Sequence, residues 1–177
     1  MATPTLDATP GGPAANAYAT VAEADAYHDA RLHREDWEAT GADAATKTVA
    51  LIMATRLLDA MYCWESWATN PQTQALQWPR VAMLARNQLA YIPNDAIPQE
   101  LKNATAEYAR QLIAADRSAD SDLETQKIKS LTAGPVSLTF GDNIAAKVMP
   151  DAVVALLPSW WGYVRGRVSA TRELVRA

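Results

Sequence analysis

The run from Ala50 to Arg80, ALIMATRLLDAMYCWESWATNPQTQALQWPR, constrains this chain more than any other stretch. It begins with helical periodicity and ends without any. Between Lys47 and Tyr62 the apolar positions Val49, Leu51, Met53, Leu57, Leu58 and Met61 merge into one arc covering well over half of a helical wheel. That is wider than the single stripe of a surface helix. Thr48, Thr55, Arg56 and Asp59 share the other side, with Ile52 among them. A helix this apolar needs partners on more than one side, so it is expected to be the central helix, ending near Met61. After Tyr62 the period breaks, and Trp64, Trp67 and Trp78 follow, three of the six tryptophans. Each ring is large and its N–H wants an acceptor. One reading places these rings in the core with Leu57, Leu58 and Met61, clamping the loop onto the helix. The other makes them a stacking surface for bases.

At 177 residues, with 49% apolar and 20% charged residues, the chain has the size and balance of one soluble globular domain. No uncharged apolar run is long enough to cross a membrane, and no basic-then-apolar leader opens the sequence. The single cysteine, Cys63, excludes an internal disulfide and argues against a cysteine-built zinc site. A reducing, cytosolic setting is the simplest fit. The net charge of −4 argues against a surface that coats nucleic acid. Residues 159–177 nevertheless hold Arg165, Arg167, Arg172 and Arg176 against Glu173 alone. A local +3 on an acidic body suggests a tail that docks on an acidic partner.

Residues 1–16, rich in Pro, Gly, Thr and Ala, read as an extended or disordered arm. Thr20-Val21-Ala22-Glu23 matches a capping box and predicts a helix from about Val21 to about His33, with Ala24, Tyr27, Ala30, Arg31 and Leu32 on its face. Glu35 to Thr40 adds a turn with Trp37 inward, and Gly41 breaks it. Residues 63–97 read as mostly irregular, punctuated by four X-Pro steps, with a short helix from Arg80 to Gln88 as an option. Pro98 suits a helix start. Leu101, Tyr108 and Leu112 then give one apolar stripe over about 98–115, expected to lie on the central helix.

Val136, Leu138 and Phe140 alternate with polar residues after a turn at Thr132–Pro135. This predicts a two-stranded hairpin within about 125–140. Such a hairpin is marginal alone and should lean on the body or a neighbouring subunit, which makes Lys127, Lys129, Leu131, Val136 and Leu138 subunit-interface candidates. Pro150-Asp151 opens a short helix that Pro158 stops. The expected fold is mainly α: a small helical bundle around a central helix, with one β-hairpin and extended terminal arms. The expected divisions are an arm at 1–16, the domain at 17–158 and a docking tail at 159–177.

Residues for catalysis do not assemble. No phosphate-gripping Gly-rich loop or nucleophile elbow is present. His28 and His33 are five apart, which turns them to different sides of a helix. A metal site with Asp25, Asp29, Glu35 and Asp36 is conceivable, but a solvated polar face is the simpler reading. Cys63 reads as a buried structural thiol. No enzyme activity, metal or cofactor is expected. Trp160, Trp161 and Tyr163 followed by Arg165 and Arg167 are different, being residue types enriched in binding hot spots. They could cap the core, dock on a partner, or bind single-stranded nucleic acid.

The ordered series AYATVAEADAY (Ala17–Tyr27), ALIMATRLLD (Ala50–Asp59), ALQWPR (Ala75–Arg80) and IPQELKNATAEYA (Ile97–Ala109) resembles a family of tailed-phage and prophage proteins. The IKSL…VSL hairpin and Leu156–Pro158 complete the series. Members are head–tail connector (adaptor, or head-completion) proteins, and some relatives carry the label DnaT-like single-stranded-DNA-binding. The resemblance spans about 17–158 and leaves the arm and tail outside. It implies a structural virion protein of the head–tail neck, assembled in the bacterial host cytoplasm. Such proteins form a homo-oligomeric ring, commonly dodecameric, under the portal protein. The ring extends the channel for DNA packaging and ejection. It receives a tail-side stopper, tail-terminator or tail-tube protein. DNA would pass through the lumen without sequence-specific binding, and no membrane is involved. The family's portal-docking segment falls here on Trp160, Trp161, Tyr163, Arg165 and Arg167, with Arg172 and Arg176 beyond. A single-strand-binding, primosomal DnaT-like protein is the alternative.

Overall fold

The computed structural model describes residues 4–39, 41–117, 130–133, 136–139 and 147–166. The elements are α1 (Val21–Asp29), α2 (Glu35–Glu38), α3 (Ala44–Met61), β1 (Tyr62–Trp64), α4 (Gln99–Ala114), β2 (Ser130–Ala133), β3 (Val136–Thr139), α5 (Asp151–Val154), a 3₁₀ turn (Ser159–Trp161) and β4 (Gly162–Val164). The fold is mainly helical around a long central helix, as the periodicity requires.

α1 opens on the capping box: the Thr20 hydroxyl accepts from Glu23 N, and the Glu23 carboxylate accepts from Thr20 N. A cap of this kind contributes about 1 kcal/mol. The helix stops at Asp29, short of His33, and Leu32 is solvent-exposed. His33 takes a left-handed φ of 58°, which no helix continues through. α2 then turns Trp37 into the core, where its Nε1 donates to Asp25. α3 is capped by Asp43, whose carboxylate accepts from Thr46 N at 2.7 Å. α4 starts after Pro98 and buries Leu101, Ala104, Thr105, Tyr108 and Ala109 against α3. Small residues on both helices, Ala54 and Ala104, are completely buried and let the two backbones approach. Leu112 is half-buried near the end of α4. The Tyr108 hydroxyl donates to Val148 O at 2.8 Å, tying the approach to α5 onto the core.

The wheel mislocates part of the α3 core. The buried side carries Ala50, Leu51, Ile52, Ala54, Thr55 and Leu58, while Val49 is exposed and Met53, Leu57 and Met61 are half-buried. The side with Thr55 and Asp59 is covered by the N-terminal segment. Tyr18 N donates to the Thr55 hydroxyl at 3.2 Å, and the Tyr18 hydroxyl donates to the Asp59 carboxylate. Two polar side chains that read as solvent-facing are therefore acceptors for a buried strap.

That strap corrects the reading of the first residues as a loose arm. Asn16 N and Ala17 N both donate to Asp7 O, and Asp7 N donates to the Asn16 side chain. Ala75 N donates to Gly12 O at 3.2 Å, and Ala15 is buried. A composition poor in apolar periodicity still orders when its backbone groups find partners on the body.

β1 and β4 pair antiparallel, with Tyr62 opposite Val164, Cys63 opposite Tyr163 and Trp64 opposite Gly162. Backbone bonds from Glu65 N to Trp161 O and from Arg165 N to Met61 O, each 2.7 Å, extend the ladder. The domain therefore does not end at Pro158. β2 and β3 form the expected hairpin, with Leu131 opposite Leu138 and Ala133 opposite Val136. Lys127 and Lys129 lie outside the described residues.

Candidate functional site

The stretch from Glu65 to Ile97 contains no helix among its residues, and Arg80 to Gln88 does not form one. Its order comes from side chains. Arg80 is buried and its guanidinium bridges two limbs of the loop. Nε donates to Glu65 O at 2.8 Å, Nη2 to Ser66 O at 2.6 Å and Nη1 to Gln77 O at 2.9 Å. The same region holds an aromatic row. Tyr62 meets Trp64 at 4.4 Å, Trp64 meets Trp78 edge-on at 5.6 Å, and Trp78 meets Trp161 at 5.1 Å between centroids. Trp78 and Trp161 are fully buried and Trp64 is half-buried.

Asp59 joins the layers. Its carboxylate accepts from Tyr18, from Trp64 Nε1 at 3.3 Å and from Gln77 N at 3.1 Å. Burial pushes this carboxyl above its usual range in spite of those hydrogen bonds. Burial, and then the Asp59 charge, push the Tyr18 hydroxyl well above its ordinary value.

Four aromatics of these segments are exposed. Trp67 is 70% exposed, Tyr91 68%, Tyr163 60% and Trp160 36%, with Leu89 88% exposed nearby in sequence. Trp67 therefore leaves the core to which the clamp reading assigned it. Tyr91 pairs with Leu84 in an isolated bridge, and Trp160 and Trp161 both donate Nε1 to Leu84 O, at 3.3 and 2.8 Å. Leu84 thus joins the loop to the last described segment. Two arginines border this set without a carboxylate among the described residues: Arg86 in the 84–91 turn, and Arg165, whose Nε donates to Cys63 Sγ at 3.2 Å. Cys63 is half-buried at the pairing of β1 with β4.

Of the docking residues read from the sequence, the structure separates two neighbours. Trp161 is a core residue; Trp160 and Tyr163 face outward. Trp161 packs on Trp78 and donates to Leu84 O, whereas Trp160 stays partly exposed; at Gly162, which follows with φ +151°, any Cβ would come within 2.0 Å of Cys63 O. Arg167, Arg172 and Arg176 lie outside the described residues. Trp67, Tyr91 and Leu89 are exposed, which only the placement of the loop reveals; the sequence carries no signal separating Trp67 from Trp78.

The histidines do not converge. His28 is buried rather than solvated, with its ring between Tyr27 and Trp37 and Nε2–H donating to Ala106 O at 3.1 Å. Its Nδ1 is buried without a partner. Burial, reinforced by the positive charges of Arg110 and Arg31, lowers its pKa to about 4. Asp25 serves Trp37 and Lys47, Asp29 serves Arg34, and Asp36 serves Arg110.

A second polar group lies at the far end of α4. Glu107, almost fully buried, accepts from Arg31, Arg110 and Gln111, and Asp36 accepts from Arg110 at 2.7 Å. A recess of about 330 Å³ opens beside them, bordered also by Arg117 and Ala152.

A family profile described as "Putative DnaT-like ssDNA binding protein" matches residues 5–177. The match includes both terminal segments that the sequence resemblance left outside. Comparison with curated proteins and with solved structures returns no match. The description is that of a binding protein rather than an enzyme. With a match over nearly its whole length, the chain belongs to the DnaT-like ssDNA-binding protein family.

Proposed function

We propose that this chain is a structural assembly protein, a phage head–tail adaptor. It would stand as a ring of identical copies beneath the portal, extend the DNA channel and receive a tail-side component. The observation that carries the reading is the exposure of Trp67, Tyr91, Trp160 and Tyr163 on segments held by the hydrogen bonds of Arg80 and Trp161. Rigid aromatic rings bordered by arginine form protein–protein hot spots, and holding them on an ordered base limits the entropy lost on docking. The resemblance of the ordered motifs to connector proteins is what points to the portal as the partner. Leu131, Val136 and Leu138 on the β2–β3 hairpin remain the proposed contacts between copies, within a head-to-tail interface whose rotation closes.

Charge supports protein docking over coating of nucleic acid. The net charge is −4. Among the described residues Arg31, Arg34, Lys47, Lys102, Arg110 and Lys147 each hold a carboxylate and Arg80 is consumed by backbone carbonyls, while Arg86, Arg117 and Arg165 hold none. Coating a nucleic-acid strand needs an extended run of available cations, a larger demand than one phosphate group makes on a single recess.

The test is co-assembly with purified portal rings, read by native mass spectrometry. Wild-type chain should add as a closed ring, and the double variant Trp160→Ala/Tyr163→Ala should fold but fail to add. Portal binding unchanged in that variant would overturn the assignment of this surface. The family description favours a second reading, single-stranded-DNA binding through the same rings. Tight, strongly salt-dependent quenching of tryptophan fluorescence by an oligonucleotide would establish it in place of a purely structural role.

A further inference from the structure

The recess beside α1, α2, α5 and the end of α4 is polar and carries an excess of positive charge. Its volume of about 330 Å³ far exceeds the roughly 10–15 Å³ needed for one water. Three guanidinium groups line it, those of Arg31, Arg110 and Arg117, against the two carboxylates of Asp36 and Glu107. Both carboxylates are already engaged: Glu107 by Arg31, Arg110 and Gln111, and Asp36 by Arg110. Arg117 has no carboxylate partner among the described residues; its Nη1 donates to Lys147 O at 3.2 Å. In all three arginines the buried Nε–H has no acceptor. The C-terminal end of α4 sets about half a negative charge against this excess, which leaves roughly half of it.

Arginine N–H groups left without acceptors around a positively charged recess match a tetrahedral oxyanion, which offers acceptors in several directions and engages guanidinium groups in forked pairs. We propose that this recess binds a phosphate group. The chemistry is common to free inorganic phosphate and to the phosphodiester of a nucleic acid. The site is separate from the aromatic surface, so its test stands apart from the docking reading.

The experiment uses the full chain and follows thermal unfolding and phosphorus NMR line width in inorganic phosphate, against chloride at equal ionic strength. Phosphate should raise the unfolding midpoint saturably and broaden its own resonance. Ala152→Glu, at an exposed position on the rim, breaks no ion pair and should weaken binding about tenfold or more by like-charge repulsion. Arg117→Gln should weaken it comparably, while Arg56→Gln, exposed on α3, should not. No midpoint shift beyond chloride, or affinity unchanged in both recess variants, would overturn the proposal. A short oligodeoxythymidylate distinguishes the sources. Binding that displaces phosphate and is lost in Ala152→Glu assigns the site to a nucleic-acid backbone. Phosphate binding that the oligonucleotide does not disturb assigns it to the free anion.

Discussion

Replacing Trp161 with alanine tests whether the segment after Pro158 belongs to the core. The side chain is completely buried, lies 5.1 Å from the Trp78 ring and donates its N–H to Leu84 O at 2.8 Å. Truncating a buried tryptophan costs about 3–5 kcal/mol, and more when the surroundings cannot collapse. Arg80 and the β1–β4 ladder hold those surroundings in place, so the upper half of the range applies. The orphaned Leu84 carbonyl adds little, because Trp160 Nε1 also reaches it, at 3.3 Å. A loss of about 4–5 kcal/mol is a large share of the roughly 5–15 kcal/mol that holds a domain together. At about 2–4 °C per kcal/mol for a chain of this size, the midpoint should fall by roughly 8–20 °C. Urea and thermal unfolding followed by circular dichroism would measure it. Trp160→Ala serves as the internal comparison and should cost less, about 1–2 kcal/mol, since that residue is 36% exposed where Trp161 is fully buried. Trp161→Ala within about 1 kcal/mol of wild type, or Trp160→Ala equally severe, would show that the last segment does not hold the core.

Gly162→Ala should be among the most damaging of single-methyl additions, at about 3 kcal/mol or more. The new Cβ would meet the Cys63 carbonyl at 2.0 Å on a backbone with φ +151°, and a melting midpoint close to wild type would contradict the β1–β4 register. His28 makes stability depend on pH. Its pKa is about 4 in the fold against about 6.5 unfolded. The neutral ring is therefore favoured, and its contribution is complete above about pH 6.5 and lost as pH falls toward 4. The difference amounts to about 3 kcal/mol. Between those limits the stability of His28→Gln should depend on pH less steeply than wild type, and parallel curves would refute the assignment.

The helices are written in local sequence. The 3.6-residue period of α4, the capping box at Thr20 and the Asp43 cap are interactions within a few residues, so they can be read without knowing the fold. The β2–β3 hairpin is legible for the same reason, its turn and alternation being adjacent. The site is another matter. Trp160 and Trp161 are identical in type and consecutive, and Trp67 and Trp78 share one loop, yet in each pair one ring is core and the other surface. That division depends on long-range contacts, such as the seating of Trp161 beside Trp78 next to the β1–β4 pairing, which leave no mark in local periodicity. Thr55 and Asp59 read as solvent-facing because only the path of the N-terminal strap supplies the donors that bury them. The buried Glu107 and its arginines are likewise brought together from α4 and from the link that follows α1. Sequence alone therefore determined the helical frame and the residue types available for binding. Tertiary structure decided which of them face outward, because burial is set by long-range partners rather than by neighbours in the chain.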